Sequence, residues 1–405
     1  MQYTGGLLLG SAAAGSSATQ AADRTETMTE TTPTAMQGKG EISLFLCGDV
    51  MTARGIDQIL PYSVDAVLHE PYATSALDYL RLAERAHGAI PRPVDFGYIW
   101  GDALAEWARV APDLRIANLE TALTTRDDWQ RGKGIHYRMH PANAPVLAEA
   151  GFDCCVLANN HVIDWGFAGL AETLHSLRRV GIETAGAGRD RAEAEAPAVM
   201  TTARGRVLVF AFGTPSSGIA AEWGASAGQP GVNLLADLSA ATLRQIAAKV
   251  KAARRPGDVV LASIHWGDNW GYAVPAAHRE FAHGLIDQCA VDGVHGHSSH
   301  HPLGIEVYRS RPILYGCGDF INDYEGISGH ETYRGDLSLM YFLTIDPASG
   351  RLSRLWMVPM QMRRFRLQRA SAQDSHWLCE VLDRESRPFG SRVAMGPGGE
   401  LEVRW

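Results

Sequence analysis

The chain has 405 residues, 46% of them hydrophobic and 20% charged, with a formal net charge of -8. This length and composition suit one large α/β domain or two ordinary ones with a sizeable core, and they exclude a chain disordered throughout. The acidic balance argues against a nucleic-acid partner, which needs clustered cations to neutralise phosphates.

In chain order, residues 1–40 read as a disordered leader. Leu7 to Leu9 is too brief for a signal-peptide core, the first ten residues lack Lys and Arg, and Ser16 to Gly40 has little to bury. No run reaches the roughly 18 to 20 apolar residues of a membrane span. Cys47, Cys154, Cys155, Cys289, Cys317 and Cys379 form no Cys-x-x-Cys pair, and several sit in apolar runs. They read as buried thiols of a reducing compartment. A cytoplasmic location is therefore expected, with export by an atypical leader as the alternative.

The main domain is expected over 41–368. ISLFLC is a buried strand delivering Asp49 at its C-terminal end. The same grammar recurs: DLRIAN precedes Glu120, DCCVLA precedes Asn160 and His161, DVVLASI precedes His265, and VDGVHG precedes His297. Helical patterns lie between, at Phe167 to Val180, Leu238 to Ala253 and Ala277 to Ala290. Gly55 to Gly101, with four prolines, reads as an insertion, and Thr124 to Pro141 is a loop rich in cations. PILYGCGDF, LSLMYFLTI, RLWMVPMQ and MRRFRLQ follow in quick succession and suggest an antiparallel or mixed second sheet. Residues 369–405 read as a helix-and-strand extension packed on the domain, its helix at Asp374 to Asp383. Strands alternating with helices, with polar groups at strand C-termini, indicate an α/β sheet protein.

Those polar groups carry a consistent chemistry. A two-metal hydrolytic site needs ions about 3.5–4 Å apart, a bridging carboxylate, further oxygen ligands, several imidazoles and a nearby proton donor. Asp49, Glu120, Asn160, His265, His297 and His300 supply the ligands and His161 the donor, for two divalent ions such as Mn, Zn or Fe. Taken singly each has a plain explanation: Gly48-Asp49 a turn, Asn118-Leu119-Glu120 a helix cap, the four histidines between His295 and His301 a surface tract. Against the last stand an apolar strand before it and Pro302 and Gly304 after it. His295, within the strand, is expected to face the core.

The segments GDVMTARG, ANLETALT, NNHVIDWG, HWGDNWGY and GHSSHHPLGIEVYRSRPILYGCGDFINDYEG closely resemble the bacterial capsule synthesis family typified by CapA, implicated in poly-γ-glutamate production and related to calcineurin-like metallophosphoesterases. The resemblance runs from about Ile42 to Phe342. It implies a two-sheet sandwich flanked by helices, four layers in αββα order, with the metal site at strand C-termini. By position, Asp49 resembles the first metal aspartate, Glu120 the bridge, and Asn160-His161 the pair of metal amide and candidate acid. His265 resembles the isolated metal histidine, and His297 with His300 a closing His-x-His expanded by one residue. One departure stands out: Met51 occupies the place of a motif histidine.

Arg54, Asn118, Asp164, Arg138, Asp319, Asn322 and Asp323 are the candidates for substrate contact or hydrogen-bonded support around the ligands. Arg138, with Arg131 and Lys133, has the chemistry to clamp a carboxylate or phosphate. The expectation is a metal-dependent hydrolase acting on an anionic small molecule or polymer, either a phosphoester or polyglutamate. The alternatives are a non-catalytic polyglutamate-binding scaffold and a γ-glutamyl amidohydrolase.

Overall fold

ISLFLCGDV forms strand β1 (Ile42–Val50), buried along its whole length, as an apolar run without alternation requires when both faces are covered. Five more strands carry site residues at or beside their ends: β2 (Leu114–Leu119), β3 (Cys154–Val156), β4 (Val259–His265), β5 (Gly293–His297) and β6 (Asp319–Ile321). The computed structural model describes residues 40–405. The leader expected over 1–40, with any export signal in it, lies outside the described residues except for Gly40.

Among the described residues the strands form a ten-stranded and a six-stranded sheet plus two small ribbons. In the larger sheet β1, β2 and β3 run parallel, followed by Glu183–Ala185. In the smaller, β4 and β5 lie side by side in parallel, with His265 opposite His297. One hydrophobic cluster joins both sheets, uniting Leu44 and Ile116 with Val209 and Leu261. A second cluster seats helices Ala240–Ala253 and Ala276–Cys289 on the other face of the smaller sheet, through Ile246 and Leu285. Helices Asp102–Val110 and Gly166–Arg179 bring Trp107, Leu170 and Leu177 to the first cluster. The result is an α/β two-sheet sandwich with helices outside. No helix among the described residues is long and apolar enough to cross a membrane.

The late strands divide differently from the expected separate sheet. PILYGCGDF contributes Arg311–Leu314 to the smaller sheet and β6 to the larger. Leu337–Asp346 and Arg351–Met362 form a long hairpin that pairs antiparallel with β1, on the edge β2 leaves open. Burial of that edge decides the matter, since unpaired backbone groups inside the sandwich would be costly. The final helix is Ala372–Ser386, capped by Ser371, and Leu401–Arg404 pairs with Arg351–Met362 to extend the larger sheet.

Pairing with the hairpin covers Ile42 to Leu46 only; beyond it β6 pairs parallel to β1 and sets Asp319 opposite Asp49. Two glycines permit this approach. A Cβ on Gly48 would stand 1.8 Å from the Gly318 carbonyl oxygen, and Gly318 has φ +74°.

Phe45 anchors the core beneath the site, with ring centroids of Trp107 at 5.3 Å and Phe342 at 5.4 Å. Phe45→Ala is expected to cost about 3–5 kcal/mol, as buried aromatic deletions do. Urea denaturation with an unchanged slope is the measurement; a loss below about 1 kcal/mol would refute this packing.

Candidate metal centre

Asp49 is fully buried at the end of β1. Its Oδ1 accepts from Asn118 Nδ2 at 2.7 Å and its Oδ2 from the Ser298 N–H at 3.2 Å. Ser298 has φ +104°, a strained value for a residue other than glycine. Asn118 accepts in turn from Asn159 Nδ2 at 3.0 Å, and Asn159 Oδ1 receives the backbone N–H groups of His161 and Val162. Asn159 thus fixes the turn that presents Asn160 and His161.

Asn160 Oδ1 lies 3.0 Å from His265 Nε2, and His265 Nδ1 lies 2.8 Å from His297 Nδ1. His297 is held from behind by Ser263 Oγ at 2.9 Å. Glu120 is 2% exposed, with Oε1 at 3.6 Å from His161 Nε2 and 3.9 Å from His265 Nε2. Its Oε2 is buried with no hydrogen-bond partner. On the other side His300 Nδ1 meets Asp319 Oδ1 at 2.9 Å, and Asn322 Nδ2 donates to Asp319 Oδ2 at 2.7 Å.

Two sets of donors emerge, Asp49 with His265 and His297, and Asp49 with His300 and Asp319; within each, the ligand atoms lie within 4.8 Å of one another. Asp49 belongs to both. Burial, then the Asp319 charge, pushes Asp49 up to about 7. Burial and Asp49 push Glu120 well above the usual carboxylate range. Burial opposes charge on His300, but Asp319 outweighs it and raises the imidazole. Crowded buried carboxylates, an orphaned Glu120 oxygen and facing imidazole nitrogens are what a cation would satisfy. The residues fit divalent metal.

Beside them, His161 Nδ1 meets Asp164 Oδ2 at 2.6 Å, and Lys133 Nζ donates to Asp164 Oδ1 at 2.5 Å. Lys133 Nζ is also 3.0 Å from His161 Nδ1 and donates to the Asn160 carbonyl. Burial, with Asp164 opposing and Lys133 assisting, lowers His161 to about 4. Burial would raise Asp164, but His161 and Lys133 hold it below its usual value.

Not every candidate reaches this centre. Arg138 is spent on the Arg126 carbonyl and Asp127, over the Trp165 ring at 3.8 Å. Arg54, at φ +47°, is buried between Asp323 and Glu70, and Asp323 also accepts the Gly55 N–H. Both guanidiniums are paired within the chain, Arg138 with an exposed Asp127, while Arg54 also lines the cavity beside His300. His295 faces the core, bonded to Ser263 Oγ and the Cys47 carbonyl. Met51 Sδ receives a long contact from Tyr324 OH, which pairs with Tyr137 OH at 2.6 Å. In the sequence Asp319 reads only as a supporting group and Lys133 as an anion clamp; the GCGDF segment and the cationic loop are the available signals. A cavity of about 840 Å³ opens beside His300 and Asn322, walled by Tyr324, Trp270, His330 and Arg334.

The fold is a two-sheet α/β sandwich that gathers imidazoles and carboxylates at its strand ends. More particularly, the chain belongs to the bacterial capsule synthesis protein family PGA_cap, whose profile matches residues 43–324. A probable polyglutamine synthesis accessory protein of Mycobacterium tuberculosis is 47% identical over 364 residues, 89% of this chain and 96% of the relative. The PGA biosynthesis protein CapA of Bacillus subtilis is 28% identical over 214 residues, 53% of this chain and 54% of that one. A phosphatase structure from Mycoplasma pneumoniae aligns with TM-score 0.43 and 9% identity, covering 82% of this chain and 97% of the other, a likeness too remote to argue from.

Proposed function

We propose that this chain is a metal-dependent hydrolase of the metallophosphoesterase type, serving the production or processing of an anionic polymer such as polyglutamate. The observation that carries this reading is Asp49, shared by both donor sets, with the partnerless Glu120 oxygen beside it. Asp49, Glu120, Asn160, His265, His297 and His300 would hold the ions. Divalent ions supply Lewis-acid activation of water and of a phosphoryl or acyl centre. Asn118, Asn159 and Ser263 keep the donors aimed. Asp164 orients the His161 ring through Nδ1, leaving Nε2 on the Glu120 side, unprotonated in the neutral ring that burial favours, to take up a proton and pass it to a leaving group.

The relatives' names, together with Met51 in the motif position, support a second reading, a scaffold that binds polymer without turnover. The experiment separates them. Purified protein is stripped with a chelator, reloaded with Mn or Zn, and assayed on phosphodiesters and γ-glutamyl polymer, with polymer binding measured in parallel. Reloading is expected to raise the melting temperature, since ligand at 100 times its Kd stabilises by about 2.7 kcal/mol. It is also expected to restore phosphodiester cleavage. Polymer cleavage instead would mark an amidohydrolase, and binding without either activity would mark the scaffold. No metal uptake would end the hydrolase reading.

A further inference from the structure

The two donor sets around Asp49 differ in chemistry. One offers two imidazoles, His265 and His297, with the Asn160 amide oxygen 3.0 Å from His265. The other offers one imidazole, His300, and a second carboxylate, Asp319. That carboxylate comes from β6, parallel to β1 and in register with Asp49. The side chain two residues beyond Asp49 is Met51, a weak thioether acceptor already contacted by Tyr324.

Asp319 could in principle serve only to orient His300, which it meets at 2.9 Å. Its surroundings argue for more. Asp319 stands opposite Asp49 in the β1–β6 register, and their ligand atoms lie within 4.8 Å of each other and of His300. Asp49, Asp319 and Glu120 are at most 2% exposed. The nearby Arg54 guanidinium is committed to Asp323 and Glu70. The Glu120 oxygen that lacks a partner stands in this cluster. Asn322 holds Asp319 Oδ2 at 2.7 Å, the kind of bond that fixes a ligating carboxylate.

We infer that Asp319 ligates a cation directly, and that the centre therefore takes unlike ions. A Zn- or Fe-type ion sits with Asp49, His265 and His297, and a harder Mn- or Mg-type ion with Asp49, Asp319 and His300. This rests on the metal reading above but goes beyond it, because imidazole-rich and carboxylate-rich sites select differently. Zn binds more tightly than Mn in most sites, so the difference appears as a gap between positions rather than a reversal.

The test is exchange. Full-length protein loaded with Mn is titrated with Zn in excess Mn, and bound metal is followed by elemental analysis and by the Mn paramagnetic resonance signal. The wild type is expected to release Mn in two steps separated by at least about tenfold in Zn. Asp319→Ala should show only the tighter Zn step, and Asp319→His should retain two ions with the steps merged. A single step in the wild type, or two unchanged steps in Asp319→Ala, overturns the inference while leaving the hydrolase reading intact. Failure of the wild type to bind any ion overturns both. Should Asp319→Ala not fold, the wild-type curve and Asp319→His decide the question.

Discussion

Asp49→Asn is expected to strip both metal positions at once and to lower hydrolysis by at least about a thousandfold. Other ligand variants should empty one position more than the other. The asymmetry follows from Asp49 being the donor common to both sets. An amide keeps the contact with Asn118 but brings no charge, and several kcal/mol of Lewis-acid stabilisation depart with the ions. Elemental analysis and turnover measured on the same preparation check this. A second readout separates lost ligation from misfolding. In the metal-free protein burial and Asp319 disfavour the Asp49 carboxylate, whereas Asn gives up the bond from the Ser298 N–H, so Asp49→Asn should melt close to chelated wild type. A variant that keeps both ions, or melts far below the chelated parent, would refute the shared-ligand role.

Much of this centre was legible because a strand end has a simple signature: an apolar run that stops at a polar side chain. His265 and His297 close β4 and β5, Asp49 stands one residue before the end of β1, and Asn160 and His161 stand just beyond β3. What stayed hidden depended on which strands pair. In the sequence Asp319 is an acid after a short strand, and only the parallel pairing of β6 with β1 reveals that it faces Asp49. That pairing turns on the close approach of Gly48 and Gly318, which no periodicity announces.

Charge misled in a different way. Arg54 and Arg138 look available for an anion, yet their partners Glu70, Asp323 and Asp127 are supplied by loops. Lys133, from the same cationic loop as Arg138, is the one that reaches His161 and Asp164. All three cations are paired within the chain, and loop geometry decides that only the partners of Lys133 belong to the His161 turn. The late hairpin followed the same logic, since the open edge of β1 could be known only once β2 had taken the other.

His161→Ala is expected to retain both ions and yet lose about 10²- to 10⁴-fold in turnover, the range a positioned proton donor contributes. The ring is fixed by Asp164 at Nδ1 and by Tyr137, whose ring centroid is 4.1 Å away. Only Nε2 is then turned toward the Glu120 carboxylate, at 3.6 Å. A proton held there matters to a leaving group that must depart as an alcohol and matters little to one stable as an anion. The loss should therefore be large for an alkyl phosphodiester and at least tenfold smaller for a nitrophenyl one. Asp164→Asn should reproduce the same selectivity more weakly, because it disturbs the orientation of the ring and leaves the ring itself present. Equal losses on both substrates would show that His161 acts on binding or metal retention, and the proton-delivery role would fall even with hydrolysis intact.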